Sequence, residues 1–372
     1  MMQPAFSSTR QAAAFAFLLL AVLLLPALAG KKILPPREQA YAALSWGSGP
    51  FPWVRHEIFE ETGDIDIAFV GSSHIMHAVD TPYVQAQLSK RLGRPAVVRT
   101  LGWGGAGFDA LYFITQDLLQ HRRVRLLVIY NENNNVRMRN AQGPVWFRWR
   151  EDAAALAGLP WREQGLYYFT AIVGMPRNLL CRLRPNIPAE LVAAKPNYWE
   201  SHYRTARMVD SLGASSSELG FNPGAPLYDD YTPFVPFAPH TGARPADVCI
   251  YPPATNGFEF SSQPLPAWQT HFARQLIALA REHNCRLVLL HIPTLDEAQS
   301  AVTEERNFWP EALGAEGVIL GIPPAKLFGG LTDEEIRKLY LNTGHLNKNG
   351  VEHFTPLITP ALLQIYDSPA RH

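Results

Sequence analysis

The chain has 372 residues, 47% apolar and 18% charged, with 33 Lys and Arg against 33 Asp and Glu. That composition belongs to a globular protein with ample core, not to a disordered chain. A formal net charge of zero argues against a nucleic-acid binder, which needs a basic footprint to neutralise phosphates.

The chain opens on a targeting segment. Arg10 is the only charge before residues 12–30, a charge-free apolar run of 19 residues closed by Lys31 and Lys32. Ala27-Leu28-Ala29 has the small-x-small form of a signal-peptidase site, which reads as a cleaved export signal spanning residues 1–30. The same run is long enough for an uncleaved membrane anchor, and both readings export the body of the protein. Residues 31–63, rich in Pro and Trp, read as a linker that packs onto a domain covering 64–372.

Residues 66–70 form an apolar run ending in Gly71-Ser72-Ser73, the pattern of a buried parallel strand and a tight turn. Thr81 as N-cap and Pro82 in the first turn predict a helix over 83–92. A second strand over 96–100 leads into a glycine-rich loop, 102–107, and a helix over 108–120. A third strand over 125–130 ends in Asn131-Glu132-Asn133-Asn134-Asn135. After 266 come a helix over 268–283, strands over 286–291 and 317–320, and helices over 333–339 and 348–365. Alternating strands and helices predict an α/β three-layer sandwich around a five-stranded parallel sheet. Residues 137–266 carry many aromatics and prolines without a clean period. At this length they read as an insertion or cap after the third strand.

Cys181, Cys249 and Cys285 are far apart and form no Cys-x-x-Cys pair, which gives no support to a zinc ribbon or a redox dithiol. They read as buried small residues, or as one disulfide whose pairing stays open. No Gly-x-Gly-x-x-Gly follows the first strand and no Walker motif is present, so no nucleotide cofactor is expected.

Open parallel sheets bind ligands at the C-terminal ends of their strands. The loops at those ends bring together Ser73, glycine amides, asparagine amides and, from 342–345, an imidazole. Nucleophile, oxyanion donors and base are the parts needed to attack an acyl carbon. Phe69-Val70-Gly71-Ser72-Ser73 resembles the first block of the SGNH/GDSL hydrolases, a strand followed by Gly-Asp-Ser. Thr100-Leu101-Gly102-Trp103-Gly104-Gly105 is similar to their second block, and Val128 to Asn134 to their third. Asn342-Thr343-Gly344-His345-Leu346-Asn347, followed by Gly350, resembles their final Asp-x-x-His block. The resemblance covers residues 64–135 and 286–366 and omits the insertion.

The resemblance implies Ser73 as nucleophile and His345 as base. It implies an oxyanion hole built from the Ser73 amide, the Gly105 amide and the Asn133 side chain. Four positions depart from the pattern: Ser72 stands for an aspartate, Thr100 for an asparagine, Asn131 for a glycine and Asn342 for the catalytic aspartate. Asn131 is therefore a second candidate oxyanion donor. An amide at 342 can orient the imidazole but supplies no charge, and in a serine protease this change lowers turnover by about four orders of magnitude. A Ser-His dyad, an acid recruited from Asp333, Glu334 or Glu335, and a domain that has lost fast hydrolysis all remain open.

The implied function is that of an exported serine esterase or O-acyltransferase acting on acyl groups, acetyl above all, of a cell-envelope or secreted glycan. A membrane acyltransferase is the kind of partner implied. A degenerate domain that binds glycan or scaffolds an envelope complex is the alternative. His74 and His291 are candidates for the substrate cleft. A metal-dependent esterase using His74, His77 and His291 ranks last, and no metal is expected.

Overall fold

The computed structural model describes residues 6–29, 36–42, 51–105, 107–130, 146–183, 207–209, 215–217, 235–251, 266–295 and 317–368. The chain divides into two compact units, Met1–Ser45 with Ala141–Ala194, and Trp46–Asn140 with Lys195–His372.

The first unit is helical. It holds α1 (Thr9–Ala29), α2 (Arg37–Ala42) and, under the label α7, the helix Trp161–Leu183. Arg37 donates to both carboxylate oxygens of Asp152 at 3.1 Å and to the Trp146 carbonyl at 2.7 Å. The Tyr41 and Trp146 rings meet edge to face beneath this clamp. Side chains of α1 are described only as far as Leu24, and among the described residues no helix is long and apolar enough to cross a membrane. Within the stretch read as an insertion or cap without a clean period, Trp161–Leu183 is a helix of 23 residues. Gly165, Gly174 and Pro176 lower the intrinsic helix propensity of the segment and blur its period.

The second unit is an α/β sandwich. In chain order it contains α3 (Phe51–Arg55), β1 (Ile65–Ser72), α4 (Ser73–Met76), α5 (Thr81–Leu92), β2 (Val98–Trp103), α6 (Phe108–His121) and β3 (Val124–Tyr130). Then come β4 (Cys249–Tyr251), α8 (Ala267–Glu282), β5 (Arg286–Leu290), β6 (Gly317–Gly321), α9 (Pro324–Leu327), α10 (Asp333–Arg337) and α11 (Lys348–Asp367). A short antiparallel pair, Arg207–Val209 with Ser215–Ser217, stands apart from the main sheet.

Five strands run parallel in the order β2-β1-β3-β5-β6, as the alternation of elements predicts. Inside the stretch read as an insertion or cap, β4 adds a sixth, antiparallel edge strand beside β6. Three residues are too few to leave a period in the sequence. Residues on both faces of the parallel strands are buried. Ile67, Phe69, Leu126, Val128, Val288 and Leu290 share one cluster with Val84 and Leu88 of α5 and Phe354 and Ile358 of α11. Helices α6 and α8 pack on each other through Tyr112, Phe113 and Phe272.

Two local details correct the sequence expectations. The N-cap of α5 is Asp80, whose carboxylate accepts from Tyr83 N–H at 3.0 Å. Thr81 is instead buried, its hydroxyl 2.6 Å from that of Thr100, which ties α5 to β2. Strand β2 also runs on through Gly102 and Trp103, because β1 extends to Ser72 and pairs with both. The free part of the glycine loop therefore starts at Gly104. Within the stretch read as a linker that packs onto the domain, Arg37–Ala42 and residues 51–60 are helical, and Tyr41, Phe51, Val54 and Ile58 are buried.

Candidate active site

The chain passes from β1 outward to β2 and returns on the other side of β1 as β3, so the sheet order reverses between β1 and β3. The crevice outside the ends of those two strands is where an open α/β sheet offers a site. Ser73 lies there as the first residue of α4, directly after β1. Its carbonyl accepts the His77 N–H at 3.0 Å, closing the turn. Packing below fixes the turn: Met76 lies against Gly102, where a Cβ would overlap its side chain. Glycine at 102 is thus required by close approach, whatever the loop beyond it does.

His345 arrives from the far end of the sequence on a fastened loop. Leu341 N–H donates to the His345 carbonyl at 2.8 Å, and Asn347 N–H to the Leu339 carbonyl at 3.0 Å. Leu346 is buried as the anchor, and the Asn347 side chain caps α11 by accepting from Gly350 N–H at 3.2 Å. The segment after β5 clamps the loop from outside. There Leu295 N–H reaches the Thr343 carbonyl at 2.9 Å, and the Tyr340 hydroxyl donates to the Pro293 carbonyl at 2.7 Å. In the His-Leu-Asn-x-x-Gly run, His345 thus faces Ser73 and three residues hold its loop in place.

The result is a linear relay. Ser73 Oγ is 2.8 Å from His345 Nε2, and His345 Nδ1 is 2.8 Å from Asn342 Oδ1. The same Asn342 oxygen accepts the backbone N–H groups of Gly344 at 3.0 Å and His345 at 3.1 Å. Two N–H donors aimed at one atom identify it as the carbonyl oxygen of the amide. An oxygen facing Nδ1 requires the proton on Nδ1 and leaves the Nε2 lone pair for the Ser73 hydroxyl. That is the tautomer a serine nucleophile needs.

Two rings contact the His345 imidazole, and a third backs one of them. His74 stacks on His345 with centroids 4.4 Å apart and planes 20° apart, and its other face stacks on Tyr130 at 4.9 Å and 10°. His77 meets His345 at 4.9 Å in a T-shaped contact. Ser72 Oγ and His74 Nδ1 share a hydrogen bond of 3.3 Å. Burial, reinforced by the neighbouring His74, pushes the His345 imidazole down to about 3. Burial alone pushes His74 down to about 4. Both rings are therefore neutral near pH 7.

The structure thus brings together Ser73, His345, Asn342 and His74. Gly105 lies in the loop beyond β2 with φ +85°, in the left-handed region that favours glycine. Asn131 and Asn133 lie outside the described residues. His291, at the end of β5, is buried, and its backbone N–H donates to the Leu320 carbonyl at 2.7 Å. Of the acids that could have replaced an aspartate, Glu335 accepts from the Thr332 N–H and hydroxyl as part of a helix cap, and Glu334 pairs with Lys338. Among the described residues no cluster of three or more His, Cys, Asp or Glu could hold a metal ion. Sequence reasoning missed Tyr130 and the stacking role of His74. The available signal was a histidine directly after the candidate serine and a tyrosine closing the neighbouring strand. In comparisons with known proteins, no family model and no curated protein matches the chain.

Proposed function

We propose that the chain is an exported serine esterase or O-acyltransferase of the SGNH type, acting on O-linked acyl groups, acetyl above all, of a cell-envelope or secreted glycan. The observation that carries this reading is the continuous line Ser73–His345–Asn342, with both contacts at 2.8 Å. In the first half-reaction Ser73 Oγ bonds to the acyl carbon while its proton passes to His345 Nε2. The carbonyl oxygen takes the negative charge and is met by the Ser73 and Gly105 amides, with Asn133 or Asn131 the further donor that the resemblance to SGNH hydrolases implies. The bond from the acyl carbon to the leaving alcohol then breaks, and the Nε2 proton goes to the departing oxygen. In the second half, water or a sugar hydroxyl gives its proton to Nε2 and bonds to the acyl carbon, the bond to Ser73 Oγ breaks, and the Nε2 proton returns to Oγ. No cofactor enters either half.

Export rests on the charge-free run 12–30. The side chains of Phe15, Phe17, Leu18, Leu19 and Val22, all about half or more exposed on α1, agree with a segment that leaves water. A membrane acyltransferase supplying the acyl group fits the transferase form of the reaction.

The full chain mixed with 4-nitrophenyl acetate tests the reading. A burst of one equivalent of nitrophenol, abolished in Ser73→Ala, supports it. No release from the folded chain, with glycan binding unchanged by Ser73→Ala, supports a glycan-binding domain instead, to which the neutral Asn342 also points.

A further inference from the structure

A general base must keep its ring plane aligned with the nucleophile and must stay unprotonated at the working pH. In a site with a carboxylate behind the imidazole, charge helps with the alignment. Here the group behind His345 is a neutral amide on an exposed residue, so its hold on the ring is one neutral hydrogen bond. A second hold comes from the side. The face of His345 lies on His74, and His74 lies on Tyr130, making three nearly parallel rings anchored on the end of β3.

Two further contacts fix the middle ring. Ser72 Oγ, on the residue before the nucleophile, bonds His74 Nδ1. Gly344, on the residue before His345, comes so near that a Cβ there would lie 2.7 Å from His74 Nε2. His74 therefore touches the residues that precede both reacting groups.

We propose that His74 is a positioning residue whose ring, backed by Tyr130, holds the imidazole of His345 in line with Ser73 and keeps water from its face. This rests on the Ser-His reading of the site. The stack sets a condition on its own members, because two facing imidazolium rings 4.4 Å apart would repel. His74 must stay neutral for the stack to persist. The titratable groups around His345 include His74 at its face and His77 at its edge, with Tyr130 behind His74. Burial holds His345 and His74 in the neutral form.

The test uses the full chain, with histidine ring carbons isotopically labelled and the His345 signal identified by its loss in His345→Gln. The variants are His74→Ala, which opens the face of His345 to water, and His74→Phe, which replaces ring by ring. In the wild type and His74→Phe, His345 stays neutral from pH 8 to 5. In His74→Ala it titrates between pH 5 and 7. The rate of reaction with a fluorophosphonate follows: an acid limb enters that window in His74→Ala, with at least a tenfold loss at pH 8, and His74→Phe stays within about threefold of wild type.

Unchanged His345 titration and unchanged rate in His74→Ala would overturn the proposal. If that variant does not fold, a tenfold loss or a raised His345 titration in folded His74→Phe overturns it equally, and wild-type behaviour there supports it. The two arms fail separately. A wild type that never reacts with the phosphonate, yet shows the expected titration shift, sinks the serine-enzyme reading and leaves the ring stack standing.

Discussion

Asn342 Oδ1 lies 2.8 Å from His345 Nδ1 and simultaneously accepts the backbone N–H groups of Gly344 and His345. The three contacts fix the amide orientation, the amide fixes the tautomer, and the tautomer leaves Nε2 free to receive the Ser73 proton. An asparagine in a catalytic aspartate's place loses turnover partly through the wrong tautomer and partly through missing charge. On the proposed reading of the site, the three contacts to Asn342 Oδ1 remove the first loss and leave the second.

Asn342→Asp should therefore accelerate the reaction. A carboxylate beside Nδ1 favours the imidazolium that forms as Ser73 attacks, and kcat should rise about 10- to 100-fold, a part of the four orders of magnitude that separate the two residues elsewhere. The same charge raises the pKa of His345, so the acid limb of kcat/KM should move up in pH. Steady-state kinetics from pH 4 to 9 check both effects. Asn342→Leu removes the acceptor altogether and should lower kcat by at least tenfold.

The two depressed histidines also act on stability. Unfolded, each binds a proton near pH 6.5; folded, His74 does so only at about 4 and His345 at about 3. Between those values the unfolded chain binds more protons, so stability is full above about pH 6.5 and declines as pH falls toward about 3. His74→Phe removes one of the two groups. Its Tm should fall less than that of the wild type between pH 7.5 and 5, which calorimetry at the two pH values measures.

Close packing makes two glycines informative. Gly344→Ala places a Cβ against His74 Nε2, displacing the ring stack at an ordinary backbone position. Labelling of Ser73 should slow at least tenfold while the far-UV spectrum stays the same. In Gly102→Ala the new methyl overlaps Met76, on the turn that carries Ser73. That overpacking should cost about 1–3 kcal/mol by denaturant unfolding.

Much of this architecture is legible in the sequence because the strands are buried on both faces and read as apolar runs: 66–70, 125–130 and 286–291 match β1, β3 and β5 to within two residues at each end. The Ser73–His345 pairing is legible only as a pattern, since 272 positions separate the two. The ring stack is not legible at all. Nothing in the spacing of His74, Tyr130 and His345 states that three rings from three elements will lie parallel. The helix Trp161–Leu183 and strand β4 were hidden for simpler reasons, helix breakers in the first and shortness in the second.

Away from the site, Asp66 at the start of β1 holds the sheet to the last helix. Burial opposes its charge, but Arg94, the Tyr366 hydroxyl and the Val97 N–H outweigh burial and keep the carboxyl below its usual range. Tyr366→Phe removes one bond to a charged acceptor and should cost about 2 kcal/mol. The contribution needs the carboxylate, so it is present above about pH 4 and is lost as pH falls through the lower folded pKa. Urea unfolding of the variant and the wild type at pH 7 and pH 3 checks the difference.

The central claim is that a neutral Ser-His-Asn relay activates Ser73. Intact-mass labelling of the full chain with a fluorophosphonate at pH 8, beside Ser73→Ala and His345→Gln, tests it most directly. One adduct per wild-type chain, mapped to Ser73 and absent from both variants, is the predicted result. A folded wild type that takes up no adduct, or an adduct that survives Ser73→Ala, would contradict it.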